Sequence, residues 1–254
     1  MNAARRGVVR EIIQSKPFIS LTELEERFPE VSSMTIRRDI DYFEKQGEAI
    51  KVRGGARSMK FIKTTMEDAY VNRATENVDA KLRICEKAFE FLEGGRSTFF
   101  DSGTTIMKLA DLVRDEYFNI TTTAPNVAIK LLRNSSVVVY LVGGMVGKDN
   151  ISISGTPALE YLRSVNIDTA FMVPSGFSLE NGFTSGNYGE CEVKKLIIEK
   201  ARRKIMLMDN SKIDRILPYT FAGLDKIDII ITDKEPSEKI AEAAKLAQTG
   251  ILVV

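Results

Sequence analysis

From Ser97 to Val254 the chain alternates short β-branched or aromatic runs with segments of helical period, and this constrains the fold more than any other feature. Seven runs read as strands: Ser97–Phe100, Ile120–Thr123, Val137–Val142, Thr169–Val173, Lys204–Met208, Ile227–Thr232 and Ile251–Val254. Between them lie helical stretches near 104–115, 126–133, 156–164, 188–201 and 236–248. Strands that alternate with helices build an α/β domain around a mostly parallel sheet. The segment from Gly143-Gly144 to Ser154 has no helical period and reads as a turn-rich, extended excursion.

The first 60 residues follow a different pattern. Residues 4–16 form an amphipathic helix with Val8, Val9, Ile12 and Ile13 on one side, and Lys16-Pro17 breaks it because the residue before proline avoids helical geometry. A second helix, Leu21 to Phe28, opens at Ser20 or Thr22 and stops at Pro29. In the third, Val31, Ile36, Ile40 and Phe43 recur at helical spacing, Ser32 or Ser33 caps the start and Gly47 ends it. Ser33, Met34, Thr35, Arg37 and Arg38 then lie at its exposed start or on the face away from the core. Glu48 to Arg53 alternates as a strand, and Gly54-Gly55 marks a turn. Helix, turn, reader helix and hairpin make a winged helix-turn-helix, with Lys51, Arg53 and Arg57 placed for phosphate.

Composition narrows the function classes. An apolar content of 44% and a charged content of 28% over 254 residues allow a sizeable core. The net charge of +1 excludes a broadly polycationic binder, although residues 1–60 carry 12 Lys/Arg against 9 Asp/Glu and the remainder 24 against 26. Histidine is absent, which excludes Ser-His-Asp and Cys-His chemistry and any histidine-ligated metal. Cys85 and Cys191 cannot build a disulfide framework or a cysteine zinc site and are expected as reduced structural thiols. No signal peptide or membrane span is expected, which places the protein in the cytoplasm.

Ligands of open parallel sheets bind beyond the carboxyl ends of the strands, where helix starts offer free N–H groups. Asp101-Ser102-Gly103-Thr104-Thr105 sits there, with hydroxyls and a glycine that suit an anion, while Asp101 suits sugar hydroxyls; an ordinary capped turn is the competing reading. Thr122 follows the next strand, and Gly143-Gly144 the third. Glu190 and Lys194 share a helix face, available to a ligand or simply to each other. Asp209 and Lys212 lie just past a strand end, where the lysine can neutralise phosphate as a point charge.

The run Thr35-Ile36-Arg37-Arg38-Asp39-Ile40, then Gly47 and Arg53-Gly54-Gly55-Ala56, resembles the DeoR family of bacterial transcriptional regulators. The resemblance implies a DNA-binding domain over 1–58, a linker and connecting helix over 59–93 (helical from Glu67 to Leu92), and a sensor domain over 94–254. That last domain is expected to be similar in fold to ribose-5-phosphate isomerase. It also implies that the DSGTT loop, Thr122, Gly143, Gly144 and the Asp209-x-Ser211-Lys212 segment line an effector pocket. Thr123 and Gly147 depart from the family, which favours Asn and Arg there.

The expected function is a sequence-specific DNA-binding regulator, a repressor of a carbohydrate-metabolism operon, released from its operator by a phosphorylated sugar. It would act as a homo-oligomer, because one winged helix reads too few base pairs. No cofactor, metal or catalytic residue is expected. The alternative is a sugar-phosphate isomerase-like enzyme with an appended DNA-binding domain, in which Asp101, Glu190, Asp209 or Lys212 moves protons. The D-G-A-D and K-G-G-G segments of ribose-5-phosphate isomerase are not found.

Overall fold

A computed structural model describes residues 2–16, 18–59 and 70–254. Pro17, most of the expected linker and the first residues of the expected connecting helix lie outside them. The chain divides into two compact units, Met1–Met66 and Glu67–Val254.

The first unit holds α1 (Asn2–Ser15), β1 (Phe18–Ser20), α2 (Leu21–Arg27), α3 (Ser33–Lys45), β2 (Ala49–Val52) and β3 (Gly55–Ser58). Ser20 caps α2 by accepting from the Glu23 amide, and Ser32 caps α3 through the Thr35 amide. Gly47, at φ 70°, ends α3, with its amide bonded to the Glu44 carbonyl and that of Glu48 to Phe43. The core is Val9, Ile13, Ile19, Leu24, Ile36, Ile40 and Phe43, the face that the helical spacing marks. β1, β3 and β2 form an antiparallel sheet in that order. Gly55 permits it, since a Cβ there would lie 2.1 Å from the Ile19 carbonyl oxygen.

The second unit is built on a seven-stranded, wholly parallel sheet. Its strands are β4 (Ser97–Phe100), β5 (Phe118–Thr122), β6 (Val137–Leu141), β9 (Thr169–Met172), β12 (Arg203–Leu207), β14 (Ile229–Thr232) and β15 (Gly250–Val253). Their order is β15-β14-β12-β9-β4-β5-β6. The chain winds outward one way through β4, β5 and β6, then the other way from β9, so the order reverses between β4 and β9. Neighbouring Phe99 and Phe100 face opposite layers, as strand geometry requires. On the Phe100 side pack α5 (Val78–Phe89), α6 (Thr104–Leu112) and α7 (Pro125–Leu131). On the Phe99 side pack α8 (Thr156–Ser164), α9 (Tyr188–Lys200) and α10 (Glu238–Leu246).

Six of the seven sheet strands match their expected spans within a residue or two at each end, and Ser97–Phe100 matches outright. The short antiparallel pieces are additions: the hairpin of β7 (Met145–Gly147) with β8 (Ser152–Ser154), and the sheet of β10 (Gly176–Ser178), β11 (Gly182–Ser185) and β13 (Tyr219–Ala222). The expected unbroken helix to Leu92 is corrected. It is two helices, α4 (Tyr70–Thr75) and α5, divided at Asn77, which adopts the left-handed conformation at φ 51°. Lys81 closes the end of α4 by donating to the Arg73 and Glu76 carbonyls, at 2.5 and 2.7 Å.

Candidate nucleic-acid interface and ligand crevice

The seat of α3 is electrostatic as well as apolar. Asp39, between Arg38 and Ile40, is 1% exposed and takes hydrogen bonds from Arg5 Nε at 2.6 Å and Arg6 Nε at 2.9 Å. Burial pushes its carboxyl pKa up, but the two guanidinium groups outweigh that and hold it below the ordinary value. Arg6 also stacks over the Tyr42 ring at 4.0 Å. These bonds fix α3 against α1, so the arginines of α1 serve packing.

The other face of α3 is free. Met34, Arg37 and Arg38 are exposed, Ser33 is exposed at the first turn, and Thr35 is half-buried with its hydroxyl 3.1 Å from that of Ser32. Among the described residues, Arg37, Arg38, Arg53 and Arg57 make no side-chain hydrogen bond or ion pair, so four guanidinium groups remain unengaged. Lys51 differs: its ammonium lies 2.5 Å from Asp41, and its amide donates to Glu44. That pairing ties β2 to α3 and reduces the charge Lys51 offers to phosphate.

The candidate ligand site of the second unit lies at the carboxyl ends of β4 and β9, where the strand order reverses. Asp101, 2% exposed, takes bonds from the Ser102 amide at 2.8 Å and the Val173 amide at 3.0 Å, joining the two strand ends. The Lys194 ammonium, from the middle of α9, pairs with Asp101 and donates to the Val173 carbonyl at 2.9 Å. The alternative that Lys194 pairs with Glu190 is therefore overturned. Glu190 instead takes bonds from Asn150 Nδ2 at 2.7 Å and from the Ser152 hydroxyl. Tertiary partners win over a helical neighbour because both side chains are buried.

Gly103, at φ 127°, opens α6 with no side-chain cap, and Ser102, Thr104 and Thr105 are buried around it. Ala124 and Gly155 likewise open α7 and α8 uncapped. Thr122 is buried and accepts from the Ala124 amide at 3.1 Å, which makes it a turn-former. Gly143 and Gly144 are exposed at the end of β6. A Cβ on Gly144 would meet the Ser154 carbonyl at 2.5 Å, so that glycine seats the β7–β8 hairpin.

Asp209 closes the β12 side. Its Oδ1 takes bonds from Asn77 Nδ2 at 3.0 Å and the Ser211 amide at 3.0 Å, while its buried Oδ2 has no partner among the described residues. Burial lowers the Lys81 ammonium pKa, Asp209 opposes that and Lys212 reinforces it, so Lys81, Lys212 and Asp209 share one electrostatic site. Arg73 donates to Asn150, and Tyr70 receives Asn126 Nδ2 at 2.7 Å. Arg73, Asn77 and Lys81 were not among the expected site residues. Their signal was present: spaced by four, they continue in polar form the row that ends in Ile84 and Ala88.

Both cysteines are buried free thiols, and burial pushes that of Cys85 up to about 12. Among the described residues no cluster of three or more His, Cys, Asp or Glu is placed to hold a metal, and no helix is long and apolar enough to cross a membrane.

Comparison with known proteins places these features in a family. Residues 5–61 match the DeoR-like helix-turn-helix domain and residues 76–234 the DeoR C terminal sensor domain. The chain is 31% identical over 254 residues to the HTH-type transcriptional regulator GlpR of Haloferax volcanii, covering 98% of each chain. It is 31% identical to the HTH-type transcriptional regulator IolR of Bacillus subtilis, covering 99% of each. A putative aga operon transcriptional repressor of Escherichia coli O157:H7 is 29% identical, over 88% of this chain and 84% of the relative. Among solved structures, the ribose 5-phosphate isomerase A of Methanocaldococcus jannaschii shows a weak likeness, with a TM-score of 0.42 and 14% identity over 55% of this chain and 56% of that one.

Proposed function

This chain belongs to the DeoR family of transcriptional regulators, and from that premise we propose that it is a repressor of a carbohydrate-metabolism operon, released from its operator by a phosphorylated sugar. It is a DNA-binding regulator with a sensor domain for a small molecule, and the naming of its relatives as transcriptional regulators points to a regulator and not an enzyme. The repressor reading is supported by the name of the aga operon relative. In this reading residues 1–58 bind DNA, 59–93 connect, 94–254 sense, and the protein works in the cytoplasm as a homo-oligomer.

The observation that carries the effector class is the uncapped start of α6, set among the buried hydroxyls of Ser102, Thr104 and Thr105 at the reversal of strand order. Backbone N–H groups there suit a phosphate, and Lys81 and Lys212, which share an electrostatic site with Asp209, are the cations assigned to it in this reading. Asp209 Oδ2, without a partner, suits a sugar hydroxyl. On DNA, Arg37 and Arg38 read base edges, with Ser33, Met34 and Thr35 beside them, and Arg53 holds phosphate with a lesser share from Lys51. Effector and operator prefer different states of the protein, so each weakens the other.

The test is fluorescence anisotropy on DNA from the protein's own upstream region, with sugar phosphates and the matching free sugars. Release by one phosphorylated sugar and by none of the free sugars supports the reading. Equal release by a free sugar removes the phosphate assignment, and tighter binding with the phosphate removes the repressor assignment.

A further inference from the structure

Three loops that crown the sensor sheet each hold the same short segment of chain, α4 and the joint behind it. The Tyr70 hydroxyl takes a hydrogen bond from Asn126 Nδ2 at 2.7 Å, and Arg73 donates to the Asn150 side chain. Asn77 donates to Asp209 Oδ1 at 3.0 Å. Asn126 follows the end of β5, Asn150 lies in the turn of the β7–β8 hairpin after β6, and Asp209 follows the end of β12. In the sheet, β9 and β4 stand between β12 and β5. The segment from Tyr70 to Asn77 is therefore tethered on both sides of the strand ends where the order reverses. Its length fits that span. Seven residues rise about 10 Å as helix, and with two side chains they bridge the ~14 Å of three strand spacings.

α4 also packs against α6, whose uncapped start carries the N–H groups assigned above to a phosphate. Ser102, Thr104 and Thr105 are buried there, so a ligand reaches them only after something moves. The helices α5, α6 and α7 are seated by Ile84, Ile106, Leu109, Val127 and Leu131 in the apolar core. Among the described residues, α4 contributes none to either apolar cluster of the sensor unit. Its one buried side chain is Arg73, and Val71 is 73% exposed. An element held by polar bonds with few buried apolar contacts belongs to the part of a domain that opens first.

We propose that α4 is a strap across the ligand site, which lifts to admit a ligand to the start of α6 and closes again through Tyr70, Arg73 and Asn77. Polar tethers suit that task, because water replaces them on opening at small net cost. An apolar seat would resist it. α4 is also the first described element after the boundary between the units at Met66 and Glu67, so the rest of the chain enters the sensor unit through the strap. That a ligand binds beneath it rests on the reading of the α6 start as the phosphate site; that α4 covers that start does not.

The experiment is hydrogen exchange of the full chain read by mass spectrometry, without DNA or effector, so a failed effector search leaves its outcome unchanged. Arg73→Gln removes the guanidinium, and Tyr70→Phe only the hydroxyl that Asn126 bonds. Exchange over Tyr70–Thr75 and over Gly103–Met107 is expected to rise together in both variants. The rise is about tenfold or more for Arg73→Gln and about threefold for Tyr70→Phe, the scale of one charged and one neutral hydrogen bond. β14, in the same sheet, is expected to keep its rate. A rise at α4 without one at Gly103–Met107, or no rise at either, overturns the proposal. An equal rise in β14 for Tyr70→Phe means that the whole unit opens, and overturns it as well. Tyr70→Phe decides alone if Arg73→Gln fails to fold by circular dichroism.

Discussion

Asn77 donates from its side chain to Asp209 Oδ1 at 3.0 Å, joining the start of α5 to the end of β12 across 132 positions of sequence. The bond accompanies the left-handed backbone at Asn77 that divides α4 from α5. Glycine at 77 keeps that backbone and loses the bond; alanine loses both. Asn77→Gly is expected to lower stability by about 1.5 kcal/mol, the scale of a hydrogen bond to a charged group. Asn77→Ala adds ~1 kcal/mol more for the left-handed strain. Urea unfolding of the two variants checks the difference, and equal losses mean that the break at Asn77 is absent in solution.

The Asp101–Lys194 pair is buried on both sides, with side-chain exposures of 2% and 4%. Lys194→Met strands a carboxylate beneath the crevice and is expected to cost about 3 kcal/mol. Adding Asp101→Asn removes the stranded charge and is expected to recover part of the loss. Denaturation of the two variants reads this directly. No recovery in the double variant excludes the pair as the cause.

Asp39 makes the seat of α3 sensitive to acid. Its native pKa lies below the unfolded value of about 3.9, so its contribution is complete above that value and disappears as pH falls through the native one. The melting point of the N-terminal unit is expected to fall as the pH drops below about 4. Asp39→Asn is expected to flatten that dependence while lowering stability at neutral pH. A profile unchanged by the substitution excludes Asp39 as its source.

The free and the engaged cations of the first unit should behave differently on DNA. Arg38→Ala is expected to weaken specific binding by ~1–3 kcal/mol if it reads a guanine edge. Arg53→Ala is expected to weaken all sequences alike and to reduce the salt slope by about 0.9, the value for a single phosphate no longer neutralised. Lys51→Ala is expected to change binding less than Arg53→Ala, because Asp41 already holds its ammonium. A larger effect at Lys51 means that DNA displaces Asp41.

Most of the scaffold was legible in the residues themselves. The unbroken β-branched and aromatic run Val137–Val142 declares a strand by its composition and length, and the Ile36, Ile40, Phe43 row declares a helix because burial of one face demands that spacing. Strands of three or four residues, such as Gly176–Ser178 and Gly182–Ser185, carry too few positions for a period and form because register across neighbours fixes them. The loops of the crevice were legible as strand-to-helix turns. What they bond to was not, since Lys194 and Asp101 stand 93 positions apart.

The sequence by itself determined a helix-turn-helix pattern with Arg37 and Arg38 outward on α3, a parallel sheet and the loops that crown it, because local spacing decides which face of each element is buried. Tertiary structure alone decided that Asp39 anchors α3, that Lys194 serves Asp101 and not Glu190, that Asn77 bonds Asp209 and that Arg73 bonds Asn150. A buried charge accepts whichever partner the fold brings within about 3 Å, and no local pattern records which partner that is.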